Sequence, residues 1–281
     1  MHAGEVIAAD MSGRRETIVT VHNQPSGLAF QRDGSLLISS MLDSKVLRLS
    51  SAGLTEVADL GSFYPYAIND MVGDRAGRAY VGGLPDMVRF QSSRVLEPTP
   101  LVLVDPQGEP GDPRARAVAQ GLFGPNGAVL TPDGRTLIVA ESGALRLTSF
   151  NVQPDGALTK RQVWADLGVV PDGICLDEEG CVWVAVPYET LANLPSEASC
   201  YLRVAKGGEI RQRIGAHGRR AFAVALGGHI GRTLFLLEST SALAQETSRG
   251  SGAIRIVDVE VPAAKSSSEP ADEPAICKGD R

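Results

Sequence analysis

Five times along its length the chain returns to one local pattern, and such a repeat limits the fold more tightly than composition does, because each unit must bury its apolar face against the next copy. The units are PSGLAFQRDGSLLISS from Pro25, AINDMVGDRAGRAYVGG from Ala67, GPNGAVLTPDGRTLIVAES from Gly124, VPDGICLDEEGCVWVAVP from Val170 and RAFAVALGGHIGRTLFLLES from Arg220. Each opens on a small or polar residue, runs through a short apolar segment, turns, and runs through a second one. The turns at Asp33-Gly34, Asp133-Gly134 and Glu179-Gly180 are hairpin signals, since glycine takes positive φ at little steric cost and the flanking Leu, Ile, Val and Trp suit a packed, pleated surface.

Further strand-like pieces follow the hairpins, among them KVLRLS, ALRLTSFNV and YLRVAKGG. The unit is therefore an antiparallel sheet of four strands, as in a propeller blade. Successive starts at 25, 67, 124, 170 and 220 lie 42, 57, 46 and 50 residues apart, close to the roughly 40 to 50 of propeller repeats. The long second interval holds PTPLVLVDPQGEPGDPRAR, read as a loop insertion. Residues 84 to 118 and 188 to 199 are read as loops at the channel mouth, the first as a lid.

A sixth blade is expected from EVIAADM and TIVTV at the N-terminus joined with AIRIVDVEV at the C-terminus, which would close the ring and hide its sheet edges. The expectation is thus an all-β, six-bladed β-propeller with four-stranded antiparallel blades, one domain over residues 1–262, followed by a polar, flexible tail over 263–281. An ordinary β-sandwich is the competing fold, but it leaves unexplained why polar residues recur at the same strand opening.

Charge and composition remove several classes of function. The 281 residues carry 27 Lys and Arg against 33 Asp and Glu, with no basic cluster of the kind that displaces counterions from nucleic acid. No apolar run approaches the ~20 residues of a membrane helix, and the start lacks a basic stretch followed by an apolar one. A cytoplasmic protein with neither nucleic acid nor membrane as partner is expected. Cys175, Cys181, Cys200 and Cys277 lack C-x-x-C spacing and are read as core thiols. The histidines form no ligand motif, and only His22 lies near a repeat opening.

The strand openings bear the chemistry. Superposing the repeats brings Ser26, Asn69, Asn126 and Asp172 to one level, and the innermost strands of a propeller line its central channel. Asn and Asp oxygens are what a hard cation such as Ca²⁺ selects. Pro-Asn-Gly and Pro-Asp-Gly are also ordinary turn sequences, so a purely conformational role stands beside the functional one.

These segments resemble the regucalcin, gluconolactonase and senescence-marker-protein group of six-bladed propellers. The resemblance spans most of residues 20 to 262 and rests on AINDMVGDRAGR, GPNGAVLTPDG, PDGICLDEEGCVWVA and AFAVALGGHIGRTLF. It implies hydrolysis of a lactone or related small ester with one divalent metal ion in the channel, calcium first and zinc or manganese as alternatives. By the same resemblance Asn126 and Asp172 bind the metal, Asp172 is also base or nucleophile, and Asn69 contacts substrate or metal-bound water. The resemblance puts a ligand glutamate at the position of Ser26, and an arginine at that of Ala67.

The expected catalytic residues are Asp172 and Asn69, and the expected metal set is Asn126, Asp172, Ser26 and Asn69. Glu141 and Glu238, each ending a second strand, are read as solvated rim residues, with compensation for the missing glutamate as the alternative. Strand alternation turns Asp70 away from the side Asn69 faces, giving it a structural role, and Trp164 and Trp183 are read as packing residues. A propeller that binds a ligand or acts as a scaffold, or one that catalyses an isomerisation or cyclisation without metal, remains the alternative function.

Overall fold

A computed structural model describes residues 3–86, 89–90, 93, 95–108, 114–189, 199–240 and 251–264. Each repeat folds where its turn chemistry directs: Gly34, Gly77, Gly134 and Gly180 all take positive φ, between 69° and 85°, and the apolar runs on either side pair as hairpins. Blade 1 comprises β3 (Pro25–Phe30), β4 (Leu36–Ser40), β5 (Lys45–Ser50) and β6 (Gly53–Asp59), preceded by a separate hairpin of β1 (Glu5–Ala9) and β2 (Arg15–Thr20). Blade 2 comprises β7 (Ala67–Gly73), β8 (Ala79–Leu84), β9 (Thr99–Val104) and β10 (Ala115–Leu122).

Blade 3 runs through β11 (Pro125–Leu130), β12 (Thr136–Glu141), β13 (Arg146–Val152) and β14 (Leu158–Asp166). Blade 4 runs through β15 (Ile174–Leu176), β16 (Val182–Val186), β17 (Cys200–Val204) and β18 (Ile210–Gly215). Blade 5 has β19 (Arg220–Gly227), β20 (Thr233–Ser239) and β21 (Gly252–Asp258). Every pairing within these sheets is antiparallel, and the first strands β3, β7, β11, β15 and β19 lie side by side in that order.

Apolar side chains fill the wedges between blades. Ile138 and Leu147 of blade 3 meet Trp164, Val184 and Leu202 between blades 3 and 4, while Trp183 and Tyr201 meet Leu234 and Leu236 between blades 4 and 5. Both tryptophans are core residues, as expected. Cys181 and Cys200 are buried free thiols and Cys175 a half-buried one; Cys277 lies outside the described residues. Among the described residues no helix is long and apolar enough to cross a membrane.

Three expectations about architecture change. AIRIVDVEV does not join the N-terminal strands: β21 pairs with β20 as the third strand of blade 5, and β1 and β2 pair with each other as a two-stranded sheet. Val6, Val19 and Val21 of that hairpin pack on Leu36, Ile38, Leu47 and Leu49 of blade 1. The described structure thus contains five blades, not six. Second, PTPLVLVDPQGEPGDPRAR is not a loop insertion, since its LVLV lies in β9 and its second-last and last residues open β10; the long interval comes from the connections 85–98 and 105–114 on either side of β9. Third, the chain stays tied beyond residue 262. Pro262 accepts from the Glu178 amide, and the Ala264 amide donates to Leu176. The rest of the expected tail, 265–281, lies outside the described residues, as do 190–198 of the second expected mouth loop.

Candidate functional site

The strand-opening residues meet because each first strand carries the same irregularity. Between its flanking ladder pairs, β3 sets Ser26 and Gly27 against Ser39, β7 sets Asn69 and Asp70 against Gly82, and β11 sets Asn126 and Gly127 against Ala140. In β19, Phe222 is the extra residue between the pairs Ala221–Glu238 and Ala223–Leu237. Just ahead of β15, the Asp172 amide donates to the Ala185 carbonyl and the Ala185 amide donates to the Gly173 carbonyl, each at 2.9 Å. Two residues against one make a β-bulge, which re-aims the side chains it carries.

Glycine follows the polar residue in three of these pairs because the neighbouring blade comes close. A Cβ on Gly27 would lie 2.4 Å from the Met71 nitrogen, one on Gly127 2.6 Å from the Asp172 oxygen, and one on Gly173 2.7 Å from the Ala223 Cα. The sequence pattern polar-Gly is therefore a packing requirement as well as a turn signal.

A chain of hydrogen bonds joins the set across blades 1 to 4. The Ser26 hydroxyl donates to the Asn69 carbonyl at 3.0 Å, and Asn69 Nδ2 donates to Asn126 Oδ1 at 2.9 Å. Asn126 Nδ2 lies 3.2 Å from Ser142 Oγ, which itself donates to the Pro171 carbonyl at 2.6 Å. The Asn126 side chain also lies beside the Asp172 carboxylate and favours its ionised form. Asn69 and Asn126 are buried, while Asp70 and Asp172 are half-buried.

Burial pushes the Asp172 carboxyl well above the usual carboxylate range, and the Asp70 charge pushes it the same way; the nearby Asn126 side chain and Gly173 amide pull it back. Burial alone raises Asp70 to about 6. Asp70 is thus brought beside Asp172, against the expectation from strand alternation, because the bulge at Asn69-Asp70 breaks the period of two.

Glu141 and Glu238 are neither rim residues nor members of this set. Glu141 is fully buried: its carboxylate accepts from Arg161 Nη2 (3.1 Å), Arg146 Nε (3.1 Å), the Phe123 amide (3.0 Å) and the Thr148 hydroxyl. Glu238 accepts from Arg255 at 2.8 Å. Both close the second strand onto the outer strands of their own blade. His22 is exposed ahead of β3.

Sequence reasoning passed over one position, Phe222. It aligns with Ser26, Asn69, Asn126 and Asp172 in the repeat, and the equivalence is readable once RAFAVALGG is set beneath VPDGICLDE with the bulge allowed for. Its carbonyl accepts the Gly173 amide at 2.9 Å.

The donor set suits a divalent cation. It consists of hard oxygen donors, two of them carboxylates raised by burial and, among the described residues, without a basic partner, which is the electrostatic state a dication relieves. Among the described residues no three His, Cys, Asp or Glu side chains come together, so the anionic part is the pair Asp70 and Asp172. The Ser26 hydroxyl is engaged by the Asn69 backbone and supplies no charge.

The fold recurs in solved structures. A calcium-binding protein, regucalcin, from Agrobacterium tumefaciens str. C58 superposes with TM-score 0.72 at 19% identity, covering 92% of this chain and 84% of its own. A luciferin-regenerating enzyme gives 0.68 at 14%, covering 92% and 85%. A gluconolactonase from Xanthomonas campestris gives 0.64 at 20%, covering 84% and 76%. A search of curated proteins gives no match. The family model described as the SMP-30/gluconolactonase/LRE-like region matches residues 1–240, and the chain belongs to that family.

Proposed function

We propose that the protein is a metal-dependent hydrolase of the lactonase type, opening a small-molecule lactone or related ester in the propeller channel. The observation that carries this reading is the set Asn69, Asn126 and Asp172 across three blades, with Asn69 bonded to Asn126 and the Asn126 side chain beside a carboxylate that burial holds well above its ordinary range, which makes that carboxylate the stronger proton acceptor. Membership of the family supports the same reaction class.

Asn126 and Asp172 would hold the cation, with Asp70 supplying the second negative charge and Asn69 beside them. A bound divalent ion of this kind polarises an ester carbonyl and lowers the pKa of coordinated water. Calcium suits a set made only of oxygen donors, and zinc or manganese stand as alternatives. Asp172 takes a proton from the attacking water; the water oxygen bonds to the lactone carbonyl carbon, the ring C–O bond breaks, and the departing alkoxide takes the proton back. Asn69 turns its amide toward water or substrate and fixes the line of attack. The test is hydrolysis of a lactone panel with added Ca²⁺, Zn²⁺ or Mn²⁺ by wild type and Asp172→Asn. A loss of about 10²-fold or more in the variant is expected; equal rates would remove Asp172 from the reaction.

A second reading, a ligand-binding propeller without metal chemistry, is favoured by Ser26 and Ala67 in place of a charged ligand and a donor. Elemental analysis of protein purified without chelator separates the two, near-stoichiometric metal supporting the hydrolase. On the same family reading, the β1–β2 hairpin takes the sixth place in the ring. The exposed Leu28 and Phe30 on β3 and Ile254 and Ile256 on β21 are the faces such a blade would separate.

A further inference from the structure

At the bulge level β3, β7 and β11 present Ser26, Asn69 and Asn126, the segment just ahead of β15 presents Asp172, and β19 presents Phe222. A phenylalanine at that level offers no hydrogen bond to a ligand. It is half-buried, so part of its surface is open. Its ring meets that of Tyr188 edge to face, with centroids 6.4 Å apart and planes at 78°, a favoured aromatic geometry. Tyr188 is also half-buried and is anchored through its backbone to Val170, two positions before Asp172. The Arg220 guanidinium carbon sits 4.8 Å from the Tyr188 ring centroid, and this cation–π contact helps hold that ring. The aromatic pair is thus fixed by both neighbouring blades, and the Phe222 backbone is bonded one residue from Asp172. At the start of β7 in blade 2, position 67 is a buried alanine.

Resting on the hydrolase reading above, we infer that Phe222 and Tyr188 form the specificity wall of the site and select a lactone bearing an apolar, aromatic or alkyl substituent over a polyhydroxylated one. The substituent lies on the Phe222 face while the ester group reaches Asn126 and Asp172. A sugar lactone would set its hydroxyls against the Phe222 ring, which cannot hydrogen-bond them, and a desolvated site penalises that heavily.

The test uses the full chain with calcium and three lactones of one ring size: δ-valerolactone, its phenyl-substituted derivative and glucono-δ-lactone. Wild type is expected to favour the phenyl derivative in kcat/KM by about tenfold or more. Phe222→Ala should raise KM for that lactone about tenfold and leave δ-valerolactone within about threefold. Phe222→Leu, which keeps apolar volume if the alanine variant misfolds, should lose about threefold on the phenyl derivative only. Equal losses on all three lactones, or a wild-type preference for glucono-δ-lactone, would overturn the wall while leaving the hydrolase standing. Calorimetric binding of phenyl-substituted δ-valerolactam, which the protein does not need to hydrolyse, separates the two ideas. If no lactone is hydrolysed yet the lactam binds and Phe222→Ala or Phe222→Leu weakens it, the wall stands and the hydrolase falls. Lactam binding that is absent, or equal in wild type and variants, overturns the wall.

Discussion

Asn69 Nδ2 donates to Asn126 Oδ1 at 2.9 Å across the boundary between blades 2 and 3, both side chains being buried. The bond fixes the rotation of the Asn126 amide, and through it the group facing Asp172. Asn69→Ala removes that constraint and, on the hydrolase proposal, a hydrogen-bonding group beside the substrate. The expected result is a fall in kcat of roughly 10²-fold, with calcium affinity changed less than tenfold, read from steady-state kinetics and a parallel calcium titration.

The Asp70 and Asp172 pair makes the calcium-free protein less stable as pH rises. Burial raises Asp70 in the fold to about 6 from an ordinary 3.8, so the folded state holds a proton that the unfolded chain has lost between these values. Stability contributed by that proton is full below about 3.8 and is lost as pH climbs through about 6, by up to about 3 kcal/mol. In chelator at pH 7.5, Asp70→Asn should therefore melt higher than wild type and bind calcium about tenfold more weakly. A variant that melts lower and binds calcium normally would count against the pair.

Glu141 has the opposite sign. Burial opposes its ionised form, but the bonds from Thr148, Phe123 and Arg146 and the charge of Arg161 outweigh it and hold the carboxyl below its usual 4.5. Its contribution is present above that value and is lost as pH falls through the depressed one. Glu141→Gln should cost about 2 to 4 kcal/mol near neutrality, since arginines are left facing a neutral amide, and should flatten the stability profile below pH about 4.5. Urea unfolding at several pH values measures both.

Close approach of first strands makes Gly127 a sensitive position. A Cβ there meets the Asp172 oxygen at 2.6 Å and the Ile174 nitrogen at 2.7 Å, both backbone atoms, which cannot swing aside. Gly127→Ala should lose about 1 to 3 kcal/mol and shift Asp172, so that melting temperature and hydrolysis fall together.

Much of this arrangement was legible in the sequence. The five unit starts coincide with first strands or the residues just ahead of them, and Ser26, Asn69, Asn126 and Asp172 come to one level because a repeat carries its geometry with it. Asp70 was misplaced because alternation presumes an unbroken ladder, and a bulge is visible only when both strands are paired. Glu141 looked like a rim residue because its partners Arg146 and Arg161 lie on β13 and β14, whose register the sequence leaves open. The third and fourth strands of blade 2 were hidden by the Pro- and Gly-rich segment between them. The assignment of AIRIVDVEV failed for a different reason: an antiparallel strand can extend either of two sheets, and its direct link to blade 5 decided the pairing with β20.

The proposed divalent cation on Asn126 and Asp172 is best sought in a crystal structure grown with calcium. A single strong peak is expected at about 2.3–2.6 Å from an Asp172 carboxylate oxygen and the Asn126 amide oxygen, with waters completing the shell. Asp70 should be bound directly or through one of those waters. A structure in millimolar calcium that keeps the Asn69–Asn126 bond and shows only water between the Asp70 and Asp172 carboxylates would overturn the metal site.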